Sequence, residues 1–429
     1  IIDNIRALFK RVITHPVSQN AQALLAVQLV SYILPIVRLP YLSRILEPEG
    51  WGTLVFIQSI INVFLVVTEY GFSYTATRDL SIMEEKHDGR INLIFGVTTA
   101  KIGLSLLSLI ILISISFFID SFYNNLNLLW AGCFLLFVHS LSPIWYFQAI
   151  EKLKLSSFIT ISGNVISTGL IFIFVTNSSH HWIVLFLQAI FTAISTIILY
   201  YMIMKKEGFI TGKLSDTKKA LINGWDVFVS RGAVTLYNQA NAFILGLFAT
   251  PYQVGYFAGA EKLTNALVGL FQPIFKAVYP RLSYLNKNND AKAKKITQLL
   301  LKVVFVGSIC IMIIAWLTSD YAIDFILGDG YEKSATLFKI FILVLPFKWL
   351  NNILGIQVLL SNGFDRQFNK IILIGGLFNL ISALILVPLF YEWGITLTVV
   401  STEIIIFGLL VIFIRNKMDD MNLLGLKNT

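Results

Sequence analysis

The sequence predicts an all-α polytopic membrane protein with twelve transmembrane helices, arranged as two six-helix lobes around a central cavity. Three observations predict this fold: the composition, the length of the apolar segments, and the uneven placement of the basic residues. Of the 429 residues, 56% are hydrophobic and only 13% are charged. A chain with this composition cannot bury its apolar surface inside a water-soluble domain, so its solvent must be lipid.

The apolar residues form long segments separated by short polar ones. Each segment can cross a hydrocarbon core of about 30 Å as a helix. A transmembrane barrel would need short strands of alternating polarity, which these segments lack. In chain order, the predicted helices are 21–46, 50–71, 94–119, 127–149, 157–177, 182–204, 221–249, 252–281, 296–318, 335–361, 368–390 and 394–416.

The basic residues are distributed unevenly among the predicted loops. Most of the 33 lysines and arginines fall in alternate loops, whereas the intervening loops hold Arg44 and Lys333. Because lysine and arginine accumulate on the cytoplasmic side of a membrane, this pattern places both termini in the cytoplasm. The net charge of +9 is thereby explained by membrane topology, and nucleic acid is not expected as a partner.

A weak internal repeat supports the division into two lobes. Pro48 and Gly52 follow the first helix at the same spacing as Pro251 and Gly255 follow the seventh. Because six is an even number of crossings, both lobes enter from the cytoplasm and the repeat is parallel. The predicted divisions are an N-terminal lobe at 1–204, a cytoplasmic linker at 205–220 and a C-terminal lobe at 221–429.

The first two helices of each predicted lobe carry polar side chains three or four residues apart. A helix facing lipid would be apolar all round, so these stripes indicate helices that line a water-filled cavity. The same polar groups can instead bond one helix to another. The candidate lining residues are Gln28, Gln58, Asn62, Thr235, Asn238, Asn265, Gln272 and Lys276. We add Trp349, which either stacks on a sugar or packs in the core.

Four basic residues lie well inside predicted helices: Arg38, Arg231, Lys262 and Lys348. Each would cost roughly 2.5–3.5 kcal/mol if it faced lipid at the bilayer centre. We therefore expect them to face water, an acidic partner or an anionic ligand. Guanidinium and ammonium groups suit a phosphate or pyrophosphate, so an anion site is predicted, with internal salt bridges as the alternative. The acidic residues available as partners for these cations are Glu69, Asp226, Glu261 and Glu403. Asp226, Glu261 and Glu403 are also candidates for coupling transport to protons or sodium, with the membrane potential as the alternative driving force.

Helix one contains two prolines, Pro35 and Pro40. Proline removes a backbone donor, so these residues are expected to bend or break the helix. Interrupted helices that line a cavity are where transporters bind substrate and hinge. A static kink is the alternative.

Four motifs point to a known family. They are LPYLSRILEPEGWG at 39–52, TEYGFSYTATR at 68–78, WYFQAIE at 145–151 and AGAEK at 258–262. Together they resemble the Wzx-type O-antigen flippases, in the polysaccharide-transport branch of the multidrug/oligosaccharidyl-lipid/polysaccharide exporter superfamily. The resemblance spans essentially the whole chain. This sequence departs from the common form of these motifs at two positions. Trp51 and Ala149 stand where phenylalanine and glycine are expected.

The resemblance implies two six-helix lobes that form a V-shaped cavity. It also implies a flippase that moves undecaprenyl-pyrophosphate-linked O-antigen repeat units across the bacterial inner membrane by alternating access. The pyrophosphate would meet Arg231 and Lys262, joined by Arg38 and Lys348. Glu69 and Arg78 would form part of an inner gate or an ordinary ion pair. An O-antigen polymerase and a chain-length regulator are the implied protein partners, and we expect a monomer without a cofactor.

Two other functions were weighed against this one. A drug or metabolite antiporter of the same fold would favour acidic residues in the cavity, whereas here cations outnumber acids. An integral-membrane glycan-processing enzyme would need a sizeable external catalytic loop, and the longest predicted one, at 319–334, is short. The five histidines form no evident metal set, so neither catalysis nor a metal is predicted.

Overall fold

The computed structural model describes residues 16–84, 89–229, 233–288 and 290–417, and within these ranges it contains helices and no strand. In the first half of the chain the helices are α1 Pro16–Glu69, α2 Phe72–Ser81, α3 Gly89–Ser116, α4 Asp120–Tyr123, α5 Leu126–Ser140, α6 Ile144–Ala149, α7 Leu153–Phe174, α8 His181–Glu207 and α9 Leu214–Val227. In the second half they are α10 Ala233–Phe248, α11 Pro251–Gly269, α12 Gln272–Asn288, α13 Asp290–Leu317, α14 Ser319–Leu327, α15 Glu332–Phe341, α16 Val344–Asn352 and α17 Asp365–Lys417. A π-helical turn, Ile353–Leu359, follows α16 directly.

Long apolar helices dominate the described ranges. By length and composition, seven of these helices can cross a membrane, or eight if one bent pair counts as a single span. Two of the seven, Ile33–Ser81 and Asp365–Asn416, have 49 and 52 residues, and a helix of that length extends over about 75 Å, enough for two crossings. The all-α membrane fold is therefore confirmed, while the count of twelve stays a prediction.

Each of these two long helices contains one residue with non-helical backbone angles. In α1 it is Glu47, at φ 57°, and in α17 it is Tyr391, at φ 48°. The backbone stays helical through Pro35 and Pro40, so the helix is not broken at these prolines, and a bend or kink there stays a prediction. The break in α1 instead directly precedes Pro48, whose fixed φ and missing N–H suit the first turn of a helix.

Four predicted helices are interrupted. In the first half of the chain the segment 127–149 is divided between α5 and α6, and the other three lie in the second half. The segment 221–249 is divided between α9 and α10, and 252–281 is divided between α11 and α12. The segment 335–361 consists of α15, α16 and the π-helical turn. Hydropathy does not register such interruptions, because a tight turn between two apolar helices changes the backbone without changing the composition.

By packing, the chain divides into two compact units. The N-terminal unit comprises Ile1–Ile45 and Ile60–Gly232, and the C-terminal unit comprises Leu46–Ser59 and Ala233–Thr429. These boundaries differ from the predicted ones in two places. Residues Leu46–Ser59, in the first half of the chain, pack with the C-terminal unit. The predicted linker, 205–220, packs with the N-terminal unit.

The second half of the predicted linker is α9, which lies against α3. The hydroxyls of Thr99 and Thr217 are hydrogen-bonded at 2.6 Å. Gly96 allows the close approach, because a Cβ there would lie 2.6 Å from the carbonyl oxygen of Asp216. Ala220 joins the buried core of the N-terminal unit beside residues of α2, α3, α6 and α8. The linker is thus a docked helix rather than a free loop.

The repeated proline and glycine residues contact one another within the C-terminal unit. A Cβ on Gly52 would collide with the carbonyl oxygen of Pro251 and lie 2.7 Å from the backbone nitrogen of Gly255. A Cβ on Gly255 would collide in turn with the carbonyl oxygen of Pro48. The two copies of the motif therefore cross reciprocally, backbone against backbone, and only glycine permits this separation.

Candidate functional site

Two of the four predicted cations come together in the C-terminal unit, and we call this group the lysine cluster: Glu261, Lys262, Asn265 and Lys348. α11 supplies the first three side chains, and α16 supplies the fourth. Lys348 Nζ donates a hydrogen bond to Asn265 Oδ1 at 3.4 Å. The Glu261 carboxylate interacts electrostatically with both lysines, yet no salt bridge joins these three described side chains.

The lysine cluster carries a net positive charge and is open to its surroundings. Lys262 and Asn265 are exposed, while Glu261 and Lys348 are half-buried. One carboxylate offsets only one of the two ammonium groups, so one positive charge is left over. An exposed amide beside two lysines offers hydrogen-bond donors and positive charge to an oxyanion. This arrangement can bind an anion.

A second polar group lies close to the lysine cluster in sequence but is buried. Asn351 is 8% exposed, and its Nδ2 donates to Glu403 Oε2 at 2.9 Å and to the main-chain oxygen of Glu403 at 3.0 Å. Glu403, a predicted coupling residue, is therefore engaged in holding α16 to α17. Glu392 behaves similarly, because it is 4% exposed and accepts a 2.7 Å hydrogen bond from Gln253 Nε2.

Trp349 is a core side chain. It is 1% exposed, its ring packs 4.1 Å from that of Phe271, and its Nε1 donates to the carbonyl oxygen of Val268 at 3.0 Å. Its single polar atom is satisfied and its ring faces are covered. The prediction that Trp349 lines a cavity is contradicted by this burial, and the alternative of core packing is the one observed.

In the N-terminal unit a buried lysine forms an ion pair with Glu69, a predicted residue whose side chain is 42% exposed. Lys101 is 1% exposed, and its Nζ lies 2.9 Å from Glu69 Oε2 and 3.4 Å from the main-chain oxygen of Ser142. The other carboxylate oxygen of Glu69 accepts hydrogen bonds from the backbone N–H and the hydroxyl of Ser73. Arg78 pairs instead with its neighbour Asp79, at 2.8 Å. The predicted contact between Glu69 and Arg78 is therefore absent.

Another ion pair is buried on both sides and contacts the same core through Tyr146. Arg90 and Glu207 have side chains that are 4% and 6% exposed. Arg90 donates to the two carboxylate oxygens of Glu207 at 2.9 and 3.2 Å. The Tyr146 hydroxyl donates to the same carboxylate at 2.5 Å. From the sequence, Arg90 and Glu207 are expected in loops, and this ion pair is not identified. The one sequence feature that pointed to it was its hydrogen-bond partner Tyr146, which belongs to the family motif at 145–151.

The other predicted site residues lie apart from these groups. Arg38, in the N-terminal unit, is half-buried and has no hydrogen-bond or salt-bridge partner among the described side chains. Arg231 lies outside the described residues, as do the side chains of Gln28, Thr235 and Asn238. Gln58, Asn62 and Gln272 are half-buried, and Lys276 and Asp226 are exposed. In the described parts of the chain, no group of three or more His, Cys, Asp or Glu residues could hold a metal ion.

Comparison with known proteins identifies the family. The model of the family described as "Polysaccharide biosynthesis protein" matches residues 17–286, more than half of the chain. The chain belongs to this family. It is 31% identical over 402 residues to a protein of Escherichia coli (strain K12) named "Putative O-antigen transporter", covering 93% of this chain and 97% of that protein. A Shigella dysenteriae protein of the same name is 27% identical over 395 residues, covering 90% of this chain and 97% of that one.

Solved structures show the fold of this family member. The "Lipid II flippase MurJ, inward closed conformation" superposes with a TM-score of 0.73 at 16% identity, covering 92% of this chain and 88% of that chain. An inward-facing multidrug resistance MATE family transporter of the MOP superfamily superposes with a TM-score of 0.68 at 14% identity, covering 91% and 94%. At these identities the likeness is one of fold. The protein is a multi-pass membrane transporter rather than an enzyme.

Proposed function

We propose that the protein is a flippase for undecaprenyl-pyrophosphate-linked O-antigen repeat units in the bacterial inner membrane. The observation that carries the proposal is the match to an O-antigen transporter over almost the full length of both chains. The lysine cluster adds an anion site suited to a lipid-linked pyrophosphate. A polar glycan cannot cross hydrocarbon unaided, because each unsatisfied polar group costs several kcal/mol there.

The lysine cluster suits the headgroup rather than the lipid tail. In its empty state Glu261 offsets one ammonium charge, which lowers the cost of keeping Lys262 and Lys348 in place. A pyrophosphate brings at least two negative charges, so it attracts both lysines while Asn265 bonds to a phosphate or sugar oxygen. Arg38 and Arg231 stay predicted substrate contacts. Alternating access then carries the headgroup to the periplasmic side while the polyprenyl tail remains in lipid.

The acidic residues differ in whether they already hold a hydrogen bond or ion pair. Glu69 is engaged with Lys101, and Glu403 with Asn351, so both would have to break existing contacts to bind a coupling ion. Glu261 is the acid best placed to couple ion movement to substrate, because it already shares an electrostatic environment with the substrate-binding lysines. We place both termini in the cytoplasm and propose a monomer that hands its product to an O-antigen polymerase and a chain-length regulator.

Complementation tests the proposal. In a strain lacking its own O-antigen flippase, the wild-type protein should restore surface polysaccharide. Lys262→Ala and Lys348→Ala should reduce it at matched membrane expression, and Lys262→Arg should retain it because the charge is kept. Lys302→Ala is the matched control, since Lys302 is an exposed lysine of α13 outside the lysine cluster. Full activity in both alanine variants would refute the anion site, and failure of the wild type with several repeat units would refute the flippase.

The antiporter alternative is less well supported. A site for cationic drugs needs excess negative charge, whereas the lysine cluster has two cations for one acid. Direct binding of a cationic drug that depends on Glu261 and is unaffected by Lys262→Ala would favour the antiporter.

A further inference from the structure

Helix α9 presents three different faces. One face, with Thr217, Ala220 and Gly224, packs on the N-terminal unit. A Cβ on Gly224 would lie 2.8 Å from the ring of Tyr70, so this face is held closely along its length. The outward part of the helix is divided into an apolar stripe and a polar stripe, side by side.

The apolar stripe of α9 is exposed. Leu214 is 82% exposed, Ile222 is 63% exposed and Trp225 is 54% exposed. Ile222 and Trp225 follow Leu214 by 8 and 11 positions. At 100° per residue, the three side chains therefore lie on one side of the helix. Ser215, Lys219, Asn223 and Asp226 follow a neighbouring line, while Lys218 lies within the apolar stripe, between Leu214 and Ile222. Such a division is typical of a helix that lies in the plane of a membrane surface.

The charge around this helix is strongly positive. Five lysines are exposed between the end of α8 and the second turn of α9: Lys205, Lys206, Lys213, Lys218 and Lys219. The two acids in this stretch are already engaged. Asp216 accepts from the backbone N–H of Lys213 at 3.0 Å, and Glu207 is buried against Arg90. Asp226 of α9 is exposed as well, so the segment 205–226 carries five lysines and three acidic residues and is positive overall.

The position of α9 along the chain indicates what covers its apolar stripe. The candidate span that precedes it ends at Glu207, only seven residues before α9 begins, and α9 packs on the N-terminal part of another candidate span, α3. A helix placed at the ends of two membrane spans lies at the level of the lipid headgroups. The indole of Trp225 suits that level, and lysine stems can lie along apolar surface while their charged ends reach the headgroups.

We propose that α9 and the preceding segment 208–213 form a binding surface for anionic phospholipid headgroups of the cytoplasmic leaflet. The apolar stripe enters the acyl-chain boundary, and Lys213, Lys218 and Lys219 bind the phosphates. The inference rests on the proposed cytoplasmic placement of the linker, but not on the substrate. Because α9 is docked on α3, lipid held here also anchors the N-terminal unit at the membrane surface.

Lipid selectivity of the purified full-length protein tests this surface. In a neutral detergent, binding of phosphatidylglycerol is compared with binding of phosphatidylcholine by native mass spectrometry, and free glycerol phosphate distinguishes a bilayer lipid from a soluble phosphate. Each lysine near an anionic surface contributes about fivefold to affinity. The triple variant K213Q/K218Q/K219Q should therefore lose at least about tenfold of the preference for phosphatidylglycerol, while K213R/K218R/K219R should keep it.

The matched control is K292Q/K294Q/K295Q, which removes the same charge from the lysine run at the start of α13. Selective loss in the α9 triple variant supports the proposal. An unchanged preference in that variant, equal loss in both triple variants, or equal binding of free glycerol phosphate would overturn it. Binding is measured without any glycan, so a failed complementation experiment leaves this result unaffected.

Discussion

The reciprocal crossing of the two proline–glycine motifs makes a sharp stability prediction. In Gly52→Ala, the new Cβ would lie 2.7 Å from the nitrogen of Gly255 and 2.8 Å from the carbonyl carbon of Pro251. Comfortable carbon contacts need about 3.5–4.0 Å, and the opposing atoms are backbone. A helix must therefore move by about 1 Å, and overpacking of this kind costs about 1–3 kcal/mol.

Gly408→Ala is the matched control for this prediction. Gly408 lies inside α17 of the same unit, and a Cβ there would meet no atom within 4 Å. Replacing glycine by alanine inside a helix stabilises it by about 1 kcal/mol in both variants. That gain cancels in the comparison, so the difference between the variants measures the steric cost alone.

The assay is unfolding of the purified protein by sodium dodecyl sulfate in mixed micelles, followed by circular dichroism. Gly52→Ala should be less stable than Gly408→Ala by about 1–3 kcal/mol. Gly255→Ala should show a similar loss, because it meets Pro48 as Gly52 meets Pro251. The double variant should lose less than the sum, since one helix displacement relieves both clashes. Equal stability of Gly52→Ala and Gly408→Ala would refute the close backbone crossing.

Two further predictions concern buried side chains. Glu207→Gln leaves the guanidinium of Arg90 buried without a counter-charge, so it should destabilise the protein by about 3–5 kcal/mol in the same assay; the added Arg90→Met change should recover part of this, and additive losses would contradict a direct pair. Trp349→Phe should lower stability by about 1–3 kcal/mol through lost packing and the orphaned Val268 carbonyl, yet leave surface polysaccharide intact at matched expression. Loss of polysaccharide from a stable Trp349→Phe protein would restore the sugar-stacking hypothesis.

Charge is handled differently in the two units. In the N-terminal unit, Lys101 and Arg90 are each buried and each bonded to a carboxylate. A buried cation without such a partner would cost several kcal/mol. We therefore interpret these pairs as structural. In the C-terminal unit, Lys262 and Lys348 share one acid and remain open to their surroundings. The surplus charge, rather than charge as such, distinguishes a candidate binding site from a structural pair.

The site could be predicted only in part from the sequence. Depth along a helix selected Lys262 and Lys348, because depth depends on local residue counts. The structure brings these two lysines together with Glu261 and Asn265, while their role in binding stays a prediction. The same counting did not select Lys101, although this lysine is only 1% exposed. It also joined Glu69 to Arg78, the other cytoplasmic charge near the end of its helix, whereas Lys101 reaches Glu69 from α3. Counting residues gives the height of a charge but not the direction in which its side chain points.

The membrane class, the all-α fold and the family were determined by the sequence alone. Apolar transfer energies add residue by residue, so a long apolar segment is recognisable without knowledge of its neighbours. The tertiary structure alone decided which distant groups meet: Gly52 with Pro251, Lys101 with Glu69, and α9 with α3. These contacts depend on the directions of side chains and on helix separations of a few ångströms, which no local pattern encodes. For that reason the linker is a docked helix, Trp349 is core, and two lysines from different helices share one acid.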